Sequence, residues 1–143
     1  MGTLKPIGNF EDNNPLEWVE GVNQNSTYQV ASLMTALPYR NKNKITTAIF
    51  FAGGGTNSAT SAYSSYTIGK ISLIKSVELL NHELEDLKVS ILGPGWVNTK
   101  IHSETIEAEL KAGINFQKTL NMLNEPENMN PILKVVEDVF KII

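Results

Sequence analysis

The sequence predicts an α/β protein built on a parallel sheet. Two short apolar runs, 45–52 and 88–92, are rich in β-branched and aromatic residues and indicate buried strands. A long segment with helical apolar spacing separates them, and helical crossovers are what join parallel strands. Because two strands make too small a sheet to bury their own side chains, we expect residues 1–143 to form one partial, doubly wound domain with long flanking helices.

Local signals place the remaining elements. Gly, Pro and Asn without periodicity predict a loop over residues 1–13. Asn14 suits the N-cap and Pro15 the first helical position, so a helix is predicted over 14–38, where Pro38 ends it. Apolar residues at spacings of three and four predict three further helices, over 64–86, 103–123 and 131–142.

Composition excludes several classes of protein. The 15 acidic and 12 basic residues are spread along the chain, so neither a nucleic acid nor a membrane surface is expected as a partner. The sequence has no cysteine, which excludes disulfides and thiolate metal sites, and no ligand-spaced neighbours surround His82 or His102, so no metal is expected. Without a signal-peptide pattern or an apolar run near the roughly 18 residues of a membrane span, we expect a cytoplasmic protein.

The pair Tyr66 and Lys70 carries the clearest chemical signal. Positions i and i+4 lie on one face of a helix, so the Lys70 ammonium can stand near the Tyr66 phenol. A nearby cation favours the phenolate and lowers the pKa of a tyrosine from about 10 toward neutral pH, which makes the phenol a usable general acid or base. On its own, so short a pattern often occurs by chance.

The surroundings of the pair make it specific. A buried strand ends in Gly53–Gly55, a loop rich in Ser and Thr follows, and Tyr66 lies at the start of a long apolar helix. A later strand runs into Pro94-Gly95-Trp96-Val97-Asn98-Thr99. Over essentially the whole chain, this order resembles the C-terminal half of a short-chain dehydrogenase/reductase. Members of that family have a Rossmann-like fold and move a hydride between NAD or NADP and a carbonyl or alcohol.

The resemblance implies roles for individual residues. Tyr66 would exchange a proton with the substrate, while Lys70 would lower the tyrosine pKa and bind the nicotinamide ribose. Asn23, in the preceding helix, would hold a water for proton relay. The two long helices, 14–38 and 64–86, would pack against a second copy in a homo-oligomer. The cofactor would also contact the P-G-x-V-x-T loop, matched here by Pro94, Gly95, Val97 and Thr99.

Two departures from the family pattern bear on activity. The family has a substrate-polarising serine thirteen or fourteen residues before the tyrosine, and Gly53 and Ala52 occupy those positions here. Losing one such donor costs about 3 kcal/mol of transition-state stabilisation, unless a loop hydroxyl replaces it, the candidates being Thr56, Ser58 and Ser61. The Gly-rich dinucleotide motif and the family's last strand have no counterpart in the sequence.

Three interpretations follow. The chain is an NAD(P)-dependent oxidoreductase acting on a small carbonyl or alcohol, a non-catalytic remnant that binds or dimerises, or a truncated product without independent stability. Binding of NAD(H) or NADP(H) separates the first two. The substrate, the choice between NAD and NADP and the reaction direction have no signal in these residues, since the family sets cofactor preference at a strand that this sequence does not contain.

Overall fold

Two parallel strands form the sheet, β1 (Thr46–Phe51) and β2 (Leu87–Leu92), in the computed structural model, which describes residues 2–143. Their register pairs Thr46 with Leu87 and Phe51 with Leu92. Both strands are mainly apolar or β-branched, as buried parallel strands usually are. The predicted α/β class, a parallel sheet with a helical crossover, is confirmed.

Six α-helices accompany the sheet in the described part of the chain. Asn14 caps the first, because its side-chain oxygen accepts the N–H groups of Leu16 and Glu17 at 2.9 and 3.3 Å. None of the helices within residues 2–143 combines the length and apolar character that a membrane span needs. The α-helices are α1 (Pro15–Asn25), α2 (Thr27–Ala36), α3 (Ser64–Glu83), α4 (Ile101–Ala108), α5 (Ile114–Asn124) and α6 (Ile132–Ile142), with short 3₁₀ helices at Phe10–Asp12, Leu37–Tyr39, Glu109–Ala112 and Pro126–Asn128.

The segment predicted as one helix over 14–38 breaks at Ser26. This residue has φ −142° and ψ −72°, outside the helical region, and separates α1 from α2. Its hydroxyl donates to the carbonyl of Val22 at 2.8 Å, and its N–H donates to the carbonyl of Asn23 at 3.3 Å. Side chains that bind the carbonyl four residues earlier bend helices, and a three-residue backbone bond tightens the last turn of α1.

The segment predicted as one helix over 103–123 is also interrupted. Helix α4 begins two residues earlier, at Ile101, and the 3₁₀ helix Glu109–Ala112 separates it from α5. At the two ends of this 3₁₀ helix, Glu109 and Gly113 have φ values of 49° and 55°, in the left-handed region. A right-handed helix cannot continue through such residues, and only glycine adopts this conformation without steric cost.

The core lies where α3 crosses the sheet. Phe50, Leu87 and Val89 project from one face of the sheet onto Leu73 and Val77 of α3. Leu73 has no exposed surface at all. Partly buried side chains of the α2 region extend this core, namely Val30, Leu33 and Leu37.

Helix α1 packs closely on α3 through two glycines. A Cβ on Gly69 would stand 2.7 Å from the Cβ of Asn25, and one on Gly21 would stand 2.8 Å from the Oγ of Ser65. These distances are shorter than van der Waals contact, so the helices can come this close only because both side chains are absent. The approach carries the end of α1 to the start of α3, where the candidate site lies.

Leu73→Ala should lower the free energy of unfolding by about 2 to 5 kcal/mol, because it removes a completely buried side chain and leaves a cavity. The matched control, Leu110→Ala, truncates a side chain that is 93% exposed and should change stability by less than about 0.5 kcal/mol. Urea unfolding followed by circular dichroism measures both. Equal losses in the two variants would contradict the assignment of the core.

Candidate active site

The loop after β1 and the first turns of α3 bring Tyr66 and Lys70 to the carboxyl end of the sheet. Lys70 is 6% exposed, and its Nζ donates to the carbonyl oxygen of Phe51, the last residue of β1, at 2.8 Å. The same nitrogen lies 5.9 Å from the centroid of the Tyr66 ring. The carboxyl ends of parallel strands are where α/β proteins place their ligand sites.

Burial controls the protonation of this pair. It raises the pKa of the Tyr66 phenol above its ordinary 10.0, and a hydrogen bond from the Gly54 N–H offsets part of the rise. Burial also lowers the pKa of Lys70 below 10.5. The predicted lowering of the Tyr66 pKa by Lys70 is not found, because the ammonium is bonded to the Phe51 carbonyl rather than to the phenol. At neutral pH the phenol is protonated and able to donate.

Asn25, at the end of α1, lies at this site. Asn25 is completely buried, and its amide accepts from the N–H of Thr3 at 3.2 Å while donating to the carbonyls of Thr3 and Gly21 at 2.7 and 2.8 Å. Asn23 instead lies beside the hydroxyl of Tyr28. The sequence did carry a signal, because Gly21 and Asn25 are four residues apart and form the face of α1 that meets α3.

A segment at the N-terminus ties the site to α4. The side chain of Glu104 in α4 accepts hydrogen bonds from the Thr3 hydroxyl at 3.0 Å and from the Leu4 N–H at 2.6 Å. A Cβ on Gly2 would stand 3.7 Å from the Lys70 Nζ, so the same segment passes next to the buried ammonium. Nothing in the spacing of the acidic residues marks Glu104, because its partners are 100 and 101 residues away in the chain.

Helix α4 also contacts the residue that precedes α3. The Tyr63 hydroxyl lies 2.7 Å from the Thr105 Oγ1, and both residues are buried. A separate cavity of about 300 Å³ is not lined by Tyr66 or Lys70. Its lining includes Asn9, Asp12, Ser61 and Lys111.

The loop after β2 is held by backbone and side-chain contacts from later parts of the chain. Asn130 donates from its side chain to the Pro94 carbonyl at 2.8 Å and from its backbone to the Trp96 carbonyl at 2.7 Å. The His102 ring stacks on Trp96 with centroids 4.9 Å apart, and its Nε2 lies 2.9 Å from the Val97 carbonyl oxygen. Gly95 has φ 69°, which favours glycine. The loop is thus fixed in place next to the end of β2.

Solved structures match this architecture, whereas no family model and no curated protein matches the sequence. A short-chain dehydrogenase/reductase from Saccharomyces cerevisiae superposes with a TM-score of 0.79 at 19% identity, over 92% of this chain and 52% of its own. The KRED1-Pglu enzyme gives 0.80 at 17%, over 92% and 55%. A short-chain dehydrogenase/reductase from Burkholderia vietnamiensis gives 0.62 at 16%, over 81% and 54%. The fold is that of a short-chain dehydrogenase/reductase. The chain spans about half the length of these structures.

The short-chain dehydrogenase/reductase resemblance carried by Tyr66 and Lys70 is therefore confirmed at the level of the fold. At the positions of the family's serine, Ala52 and Gly53 follow β1 directly. The Thr56 hydroxyl donates to the Gly53 carbonyl at 3.5 Å. In the described chain no hydrogen bond joins Tyr66 to any of the three loop hydroxyls, Thr56, Ser58 and Ser61.

Above pH 10, the wild-type protein should lose stability more steeply than the Tyr66→Phe variant. A phenol whose folded pKa is raised stays protonated in the folded state while the unfolded chain ionises at 10.0, so unfolding releases a proton and becomes easier as pH rises. Chemical unfolding at pH 8, 10 and 11 measures the two slopes. Tyr39→Phe, which removes the hydroxyl of an exposed side chain, is the control. Parallel slopes for wild type and Tyr66→Phe would contradict the buried phenol.

Proposed function

We propose that this chain carries the proton-transfer half of an NAD(P)-dependent oxidoreductase that moves a hydride between the nicotinamide and a carbonyl or alcohol. The observation that carries the proposal is the placement of Tyr66 and Lys70 side by side at the carboxyl end of the sheet, in a fold shared with short-chain dehydrogenase/reductases. The similarity to the solved structures supports the fold, and the proposed chemistry rests on the Tyr66 and Lys70 side chains.

Tyr66 acts as the proton donor in this proposal. The phenol is protonated at neutral pH, so it can give its proton to the oxygen of a carbonyl as that oxygen gains negative charge. Lys70 holds α3 to the end of β1 and places a positive charge near the ring. Asn25 fixes the segment next to Lys70 with its buried amide, and the water held by Asn23 stays a prediction.

The residues present fit the nicotinamide end of the cofactor. Gly54 and Gly93 follow the two strands, and no heavy atom lies within 4 Å of the place where a Cβ would stand on either one. Open space beside glycines at the ends of adjacent parallel strands lets a ligand approach the backbone closely. Lys70 and the loop of Pro94, Gly95, Val97 and Thr99 would hold NAD or NADP there. When bound, the cofactor supplies or accepts the hydride.

Millimolar NAD(H) or NADP(H) should raise the melting temperature of the chain, because a ligand that binds only the folded state stabilises it. Lys70→Met should abolish the shift. Lys75→Met, on the same helix but with a side chain that is 61% exposed, should keep it. Tyr66→Phe should bind the cofactor and lose turnover about 10²- to 10⁴-fold. No shift with either cofactor would contradict the proposal for this chain.

A second candidate function is self-association, which apolar side chains on the outer faces of α1 and α3 support. Ile68, Ile71 and Ile74 follow one side of α3 and are 47%, 43% and 37% exposed. Leu16 and Val19 of α1 are 81% and 51% exposed. Exposed apolar side chains along packed helices are typical of an interface between subunits. We assign a second copy of this chain as the occupant, packed helix against helix about a two-fold axis.

Ile71→Glu should convert a dimer into a monomer, because it places a charge in the middle of the apolar side of α3. Ile114→Glu introduces the same charge on α5, at a side chain that is 77% exposed, and should leave the dimer intact. Light scattering after size-exclusion chromatography gives the mass of each variant. A wild-type chain that stays monomeric at high concentration would rule out this interface.

A further inference from the structure

The glycines after β1 differ in what surrounds them. At Gly53 the space that a Cβ would occupy is taken: the Cβ would overlap the Tyr66 phenol oxygen and stand 2.9 Å from the Cγ of Lys70. At Gly54 no heavy atom lies within 4 Å of the corresponding point. Neither residue is among the glycines with positive φ in the described chain. Position 53 therefore requires glycine because there is no space for a side chain. At position 54 neither the available space nor the backbone conformation requires glycine.

The backbone of Gly54 also acts on the phenol, because it lowers the pKa of Tyr66 against the rise caused by burial. The Lys70 ammonium, bonded to the Phe51 carbonyl, fixes α3 against the strand from which Gly53 and Gly54 continue. No side chain lies between the Tyr66 hydroxyl and the backbone of Gly53.

We propose that Gly53 forms a backbone seat for the Tyr66 phenol: because position 53 has no side chain, the phenol oxygen occupies the place that a Cβ would take. As a device for positioning the proton-transfer group, the seat rests on the proposed function. The seat also accounts for the absence of a serine at position 53, because any side chain there would overlap the phenol.

Carbon-13 NMR of chains labelled at the tyrosine Cζ tests the seat without cofactor or substrate. The Tyr66 resonance, assigned by its loss in Tyr66→Phe, should titrate above pH 10 in the wild type and in Gly54→Ala. In Gly53→Ala and Gly53→Ser it should change position and titrate closer to pH 10, because the phenol is forced from its buried place. An unchanged resonance and titration in Gly53→Ala would overturn the proposal.

A double-mutant cycle covers the case in which Gly53→Ala destabilises the chain too much for NMR. Gly53→Ala should lower the melting temperature of the wild type by several degrees and by clearly less in a Tyr66→Ala background, where only the contact with the Lys70 Cγ is left. Equal losses in both backgrounds would overturn the seat. Neither measurement uses NAD(P). A failure to bind the cofactor would therefore not contradict the seat, and a failure of the seat would not contradict cofactor binding.

Discussion

The close packing of α1 on α3 determines where the polar groups of the candidate site lie. With no side chains at Gly21 and Gly69, the two helices enclose Asn25 completely. A buried amide must find its hydrogen bonds within the protein, and Asn25 finds them at Gly21 and at both backbone groups of Thr3. The segment around Thr3 is thereby fixed beside Lys70, and Glu104 attaches α4 to the same segment.

The second constraint is the buried ammonium of Lys70. A charge removed from water is costly unless it is hydrogen-bonded, and the carbonyl at the end of β1 provides that bond. The cation is used to hold helix to strand, so the electrostatics of Tyr66 depend mainly on burial and on the Gly54 N–H. Lys70 therefore holds α3 to the end of β1 in addition to any chemical role.

Local patterns in the sequence were sufficient for the strands, for the helix that joins them and for the shared face of Tyr66 and Lys70, because each depends on neighbours within a few residues. The burial of Asn25 does not follow from local sequence. Residues two apart on a helix point about 200° away from each other, so which asparagine of α1 is buried depends on the face of α1 that meets α3. The hydroxyl of Ser26 breaks the helix in the same region, and helical spacing alone does not show this. Likewise, the sequence shows that a serine is missing at Gly53 but not that the phenol fills its space.

The two-stranded sheet leaves strand edges that other strands can join. Within residues 2–143, β1 and β2 pair only with each other, so each strand keeps one edge of free N–H and C=O groups. Such edges are templates for strands of another molecule, and Ile45 and Phe51 at the two ends of β1 add exposed apolar surface. A net charge of −3 provides little repulsion between copies. Within the described residues, these two edges are therefore the places where a further strand can add to the sheet.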